Sequence, residues 1–254
     1  MFYSYKGFSE VYSTASSYAK KTFHNLETRI KSSDFPCYYA KTTILKNSLY
    51  VAFIEKYEDQ NDLFYQSKKA FEQFADIEKN PNPYHVFVLS MKVDTKNWEE
   101  DNALMWDFMH YLRQHDSEPW SSEIPTATDD ANWSFSFMGM PWFFNLNSHN
   151  NTHRNSRNVT DTFSLILQRT DGFEKLLKAE LDEDEREKQR FAIRKDIRGR
   201  IAAYDAQPVS PALAGEADNM EYLEWKQFHI PNLNTEKPQS KCPFKAFFSL
   251  ASNN

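Results

Sequence analysis

Trp133, Phe135 and Phe137 alternate strictly with Ser134 and Ser136, and no other stretch restricts the fold so tightly. A helix would scatter those rings around its circumference, whereas an extended strand puts all three on one face. After Met138-Gly139-Met140-Pro141 the chain resumes with Trp142-Phe143-Phe144-Asn145-Leu146. Two strands joined by a short glycine-containing turn form a hairpin. Its aromatic face needs an apolar layer opposite it, so the hairpin implies a sheet packed on helices.

The rest of the chain supplies both. Leu49, Val51 and Phe53 alternate with Tyr50, Ala52 and Ile54 in a wholly apolar run, the pattern of a strand buried on both faces. Phe64, Phe71, Phe74 and Ile77 then fall on one helical stripe, which Asn80-Pro81-Asn82-Pro83 interrupts. Residues 84 to 93 read as a second strand and residues 98 to 115 as a helix burying Met105, Phe108, Met109 and Leu112. Residues 116 to 130 form a loop, 162 to 168 another strand, and 9 to 31 one helix. Residues 182 to 204 open with acids and close with bases, which complements a helix dipole, and Ile193, Ile197, Ile201 and Tyr204 mark its buried stripe. Helices and strands interleave without a regular βα alternation. The expectation is an α+β single domain over residues 1 to 254, with a mixed or antiparallel sheet and a central aromatic hairpin packed against several helices.

Composition removes several functions. With 5 glycines in 254 residues the chain has no Gly-rich phosphate loop or dinucleotide fingerprint. A net charge of −6 argues against a nucleic-acid partner. No apolar run approaches a membrane span, no signal-peptide pattern opens the chain, and Cys37 and Cys242 form no disulfide framework. A cytoplasmic protein with reduced thiols is the simplest expectation.

Chemistry concentrates in residues 133 to 159, where the aromatic hairpin runs into a loop holding His149, His153, Arg154 and Arg157. Loops carried on a rigid sheet are where functional groups tend to sit. Guanidinium forks hold carboxylates or phosphates bidentately, so this loop suits an anionic, metal-bearing ligand; ordinary ion pairs or a solvated loop are the plainer readings. His110 and His115, on or at the end of an amphipathic helix, read as surface or satisfied core positions. Cys37, after Phe35-Pro36, reads as a buried inert thiol. No GxSxG, HExxH or non-haem metal triad is present.

Five separated pieces carry a family resemblance: Phe35-Pro36-Cys37; Asp116 with Pro119-Trp120 and Ile124-Pro125-Thr126; residues 133 to 137; Arg154-Asn155-Ser156-Arg157-Asn158; and Glu224-Trp225-Lys226-Gln227 with Cys242-Pro243-Phe244. In this order the chain resembles the YqcI/YcgG family over about residues 34 to 245. That family includes haem-dependent N-oxygenases that hydroxylate guanidine nitrogens, pre-guanitoxin N-hydroxylase among them. The resemblance implies haem b as cofactor and dioxygen or peroxide as oxidant. It implies N-hydroxylation of a small amino-acid-like amine or guanidine. The family's hydroxylase-like members place a histidine five positions before the first arginine of R-x-[SA]-R, which here is His149; His153 is the alternative iron ligand. Arg154, Ser156 and Arg157 would then bind haem, Trp133, Phe135 and Phe137 would wall it, and Phe35, Pro36 and Cys37 would line a further part of the pocket. A substrate cation needs carboxylates, for which Asp116, Asp129 and Asp130 in the preceding loop are the candidates. An electron-donor reductase and a homodimer complete the expected partners. Other haem chemistry, peroxidase-like or dehydrating, and a non-catalytic haem or small-ligand carrier are the alternatives.

Overall fold

A computed structural model describes residues 1–177, 180–213, 223–236 and 239–244; the rest of the expected domain, including everything after residue 244, lies outside them. Six strands form one sheet: β1 (Phe2–Ser4), β2 (Leu49–Ile54), β3 (Val86–Met91), β4 (Phe135–Phe137), β5 (Met140–Asn147) and β6 (Ser164–Arg169). Their order across the sheet is β1-β2-β3-β6-β5-β4. Among the described residues only β2 and β3 pair in parallel, because α4 (Gln60–Glu78) crosses over between them. The sheet is therefore mixed, as the α+β reading requires.

Strand β2 shows why both faces are covered. Leu49 and Val51 join a cluster with Phe8, Phe23, Leu26 and Ile30 from α1 (Tyr5–Val11) and α2 (Ser17–Lys31). Ala52 and Ile54 face the other way, toward Phe71 and Phe74 of α4 and Met105, Phe108 and Met109 of α5 (Trp98–Gln114). The second cluster is the larger and takes in the hairpin, with Phe71 against Phe137 at 4.9 Å and against Trp142 at 4.7 Å. The hairpin is thus central to the core but not to the sheet: β4 is an edge strand and β5 its only neighbour.

Helix ends follow local chemistry. Asp59 Oδ1 accepts from the Asp62 amide at 2.9 Å to start α4, and Asn97 Oδ1 accepts from Glu100 at 2.9 Å to start α5. The single helix expected over residues 9 to 31 is broken. A 3-10 turn at Tyr12–Thr14 ends the first piece, and Ser16 caps α2 by accepting from the Ala19 amide at 3.0 Å. A hydroxyl that satisfies an orphan N–H stabilises a new helix start where an uninterrupted helix would have none. Helix α3 (Tyr38–Leu45) follows Phe35-Pro36-Cys37 and has little amphipathic pattern to announce it. The last helix, α6 (Glu183–Asp205), has the expected acidic start, with a capping box between Asp182 and Glu185. Its stripe of Ile193, Ile197, Ile201 and Tyr204 is only half-buried, and Asp205 is its one buried residue. The reason is physical: α6 packs through its C-terminal end, where Tyr204 meets Phe35 and Asp205 meets Ser156, and not along its length.

Candidate functional site

The loop after β5 is built around its two arginines. Arg157 donates through Nη1 to Asn145 Oδ1 at 2.5 Å and through Nη2 to the Gln227 carbonyl at 3.0 Å. Its own carbonyl accepts from the Ser148 amide and from Asn151 Nδ2. Arg154 donates through Nε to the Pro231 carbonyl and through Nη2 to Asn234 Oδ1, both at 2.5 Å, with Asp205 Oδ2 at 3.9 Å from Nη1. Between them, Ser156 gives its amide and its hydroxyl to the two oxygens of Asp205 at 2.7 Å each. Both arginines are buried. Burial first, and then the neighbouring Arg154 charge, push Arg157 down to about 9, against the pull of Asp205. A charge so far from water is tolerable only because its N–H groups are matched by fixed acceptors. The R-x-S-R segment therefore ties β5, the end of α6 and residues 227 to 234 together.

This changes the reading of the expected haem set. Arg154 and Arg157 each give two of their N–H groups, and Ser156 its amide and hydroxyl, to acceptors of the protein itself, so all three brace the loop. Trp133, Phe135 and Phe137 have at most 1% of their surface exposed. Phe135 packs on Phe144 at 5.3 Å and on Phe244 at 5.4 Å, so these rings fill the core and offer no free face to a porphyrin. His153 is exposed, and its amide donates to Asn232 Oδ1 at 2.8 Å. His149 is half-buried beside Asn150, whose side-chain amide is fixed by the Thr95 and Asn97 carbonyls and by Asp101 Oδ2 at 2.9 Å. It stands close enough to Asp94 to help Lys96 hold that carboxyl below its ordinary range. A histidine on so fixed a loop can serve as a single axial ligand. Among the described residues no three His, Cys, Asp or Glu side chains converge on a metal-ion site.

The expected substrate carboxylates are not brought together. Asp116 has no exposed side-chain surface and accepts from the amides of Glu118 at 3.0 Å and Met138 at 3.1 Å and from Arg113 at 3.1 Å. Desolvation raises its pKa and those amides oppose the shift; its work is to pin the hairpin turn. Asp130 Oδ1 accepts from the Asn132 amide at 2.8 Å, while Asp129 is exposed. Phe35 and Pro36 are buried under α6, with Phe35 against Tyr204 at 5.9 Å and Arg200 Nη1 donating to the Pro36 carbonyl at 3.4 Å. Burial raises the Cys37 thiol, in keeping with an inert one.

Glu224, His229, Trp106, Trp133 and His110 meet surroundings that their sequence neighbourhoods did not show. Glu224 is buried, and Ser134 Oγ donates to its Oε1 at 2.8 Å while lying 2.9 Å from Thr170 Oγ1. Desolvation raises it to about 8 against the two hydroxyls. His229 stacks on Trp98 at 4.8 Å, and burial, helped by Arg157, depresses it to about 3. The indole N–H groups of Trp106 and Trp133 are buried with no acceptor among the described residues, and their rings lie 6.1 and 6.2 Å from Phe228. His110 is half-buried, stacked on Phe244 at 5.3 Å, and lines an open cleft. The sequence set Trp133 and Glu224 in family-like pieces and His110 on a helix, but the partners of all five residues come from segments far apart in the chain.

Fold and loop together define a mixed-sheet α+β protein whose tail is locked over an aromatic core by two buried arginines. The chain belongs to the YqcI/YcgG family, whose model matches residues 26–245. It is 26% identical over 230 residues to a Streptomyces lavendulae protein named "Putative N(omega)-hydroxy-L-arginine synthase DcsA", covering 89% of this chain and 83% of that one. It is 27% identical over 240 residues to the YqcI protein of Bacillus subtilis (strain 168), covering 90% and 88%. To the YcgG protein of the same organism it is 27% identical over 217 residues, covering 83% and 80%. No solved structure matches it.

Proposed function

We propose that this chain is an N-hydroxylase acting on a small amino-acid-like amine or guanidine, with haem b as its oxygen-activating group. The observation that carries the reading is its likeness to the Streptomyces relative over nearly the full length of both chains. The overall reaction balances as substrate N–H, dioxygen, two electrons and two protons giving N–OH and water. An electron donor therefore belongs to the proposal. Hydrogen peroxide in place of dioxygen needs none.

Haem is tested by what the loop offers. His149 would supply the iron's ligand from the protein, while Arg154 and Arg157 already brace the loop and the hairpin rings are sealed in the core. What the described residues do supply is rigidity: the loop that carries His149 is fixed at Asn150, Ser148 and Arg157, which would hold the backbone under the imidazole in place.

The experiment is reconstitution of the full chain with haem, followed by incubation with arginine, related guanidines and small amines in the presence of reductant and oxygen. A Soret band together with product heavier by one oxygen is the expected result. A band without product from any of these compounds favours a carrier, and absence of the band removes the haem reading. If the band survives in His149→Ala, the ligand lies elsewhere, and His110→Ala is the next variant.

A further inference from the structure

Asp101 lies in the first turn of α5 with 1% of its surface exposed. Its Oδ2 accepts from the Asn150 side-chain amide at 2.9 Å. Its Oδ1 is buried and has no hydrogen-bond partner among the described residues. Nor does any lysine, arginine or histidine among them form an ion pair with this carboxylate. An oxygen of a charged group held away from water without a donor is strongly unfavourable, so the position calls for one.

The loop carries a donor with the complementary need. His149 immediately precedes Asn150, about 3.8 Å along the chain from Cα to Cα, and neither of its ring nitrogens has a hydrogen-bond partner among the described residues. The ring is half-buried, so it can rotate about its own side-chain bonds between staggered positions. Asp94 is the other carboxylate that His149 influences. Its side chain is 89% exposed and paired with Lys96. Water and a lysine therefore already satisfy Asp94, whereas Asp101 has neither.

We infer that Asp101 is the positioning residue for His149: the ring turns so that one nitrogen donates its N–H to Asp101 Oδ1. The other nitrogen is then left bare, the form in which an imidazole binds a metal. One carboxylate thus holds Asn150 with its first oxygen and the neighbouring imidazole with its second. An acceptor behind a metal-bound histidine also makes the ring more basic. The inference rests on the N-hydroxylase reading only in making that metal the haem iron.

The test begins with the full chain free of haem. Nitrogen NMR of the His149 ring at alkaline pH, assigned by the signals lost in His149→Gln, should show one tautomer in excess by about ten-fold, the ratio given by a hydrogen bond to a charged group. Asp101→Asn keeps an oxygen for Asn150 but turns an amine toward the ring, so the excess should vanish or reverse. Asp94→Asn should leave it unchanged. An even mixture in the wild type, or the same excess in Asp101→Asn, overturns the inference. The wild-type measurement can overturn it by itself, whether or not the variant folds. The haem-loaded protein gives a second readout: in Asp101→Asn the iron–imidazole stretch of the ferrous form should move to lower frequency and the reduction potential should rise, with neither change in Asp94→Asn. A tautomer fixed by Asp101 in a chain that takes up no haem leaves the pairing standing and removes the haem reading. Haem bound through His149, with a stretch and potential that Asp101→Asn does not move, does the reverse.

Discussion

Glu224→Gln isolates a large pH-dependent contribution to stability, one that acts on the alkaline side. Glu224 is 6% exposed, and its hydrogen-bond partners are the hydroxyls of Ser134 and Thr170, with no cation acting on it. Burial therefore favours the protonated acid and raises the group from 4.5 to about 8. An acid that holds its proton more tightly when folded stabilises the fold fully below 4.5. That contribution is lost progressively as pH rises, and is gone once the pH passes about 8. The separation amounts to about 5 kcal/mol, an upper value because the buried site can relax around a charge. Total stability of a domain is about 5–15 kcal/mol, so the effect is large enough to read directly. Glutamine keeps the shape and the hydrogen-bonding ability of the neutral acid without ionising. Urea unfolding of both proteins between pH 4.5 and 8.5 gives the difference, in which every other titrating group cancels. The two should be nearly equal at pH 4.5, and the variant should gain by up to about 1.4 kcal/mol per pH unit until the gain levels off above about pH 8. A difference that stays constant across that range would refute the assignment of Glu224 as a neutral buried acid.

His229 gives the opposite limb. Held near 3 by burial, it is neutral in the fold, so its contribution is complete above about 6.5 and is lost as pH falls toward 3. In His229→Asn, melting temperatures between pH 4 and 7 should lose most of that acid-side slope. For the buried lock, Arg157→Ala strands the Asn145 and Gln227 acceptors and should cost about 3–5 kcal/mol in urea unfolding. Arg157→Lys, which cannot span both acceptors, should recover only part of it.

How much of this was legible beforehand depended on whether the determinant was local. Strand β2 was readable because alternation on both faces reflects two real apolar layers. Helices α4 and α5 were readable because each buries one stripe. The break at Ser16 was not, since a single serine gives no periodic signal until its hydroxyl is seen to cap α2. The edge position of the hairpin was equally hidden, because strand order is settled by β6 inserting between β3 and β5, a pairing between remote segments. The site shows the same division. Arginines in a polar loop look like ligand donors in sequence, and only the tail's Pro231 and Gln227 carbonyls reveal what those donors hold.

That last point bears on how the R-x-S-R segment relates to function. Arg157 and Arg154 grip residues 227 to 234, and the same stretch of tail carries Glu224 and Trp225 just before and Phe228 within it. Phe228 lies against Trp106, Trp133, Phe143 and Phe144, while Trp225 Nε1 donates to the Thr128 carbonyl at 2.9 Å. The arginines therefore set where the tail crosses the aromatic core, and with it the covering of the two buried indole N–H groups. A substitution at Arg157 would shift Phe228, because its guanidinium holds the Gln227 carbonyl beside it. Loss of activity in an Arg157 variant, taken alone, would then be no argument that the guanidinium touches substrate or cofactor.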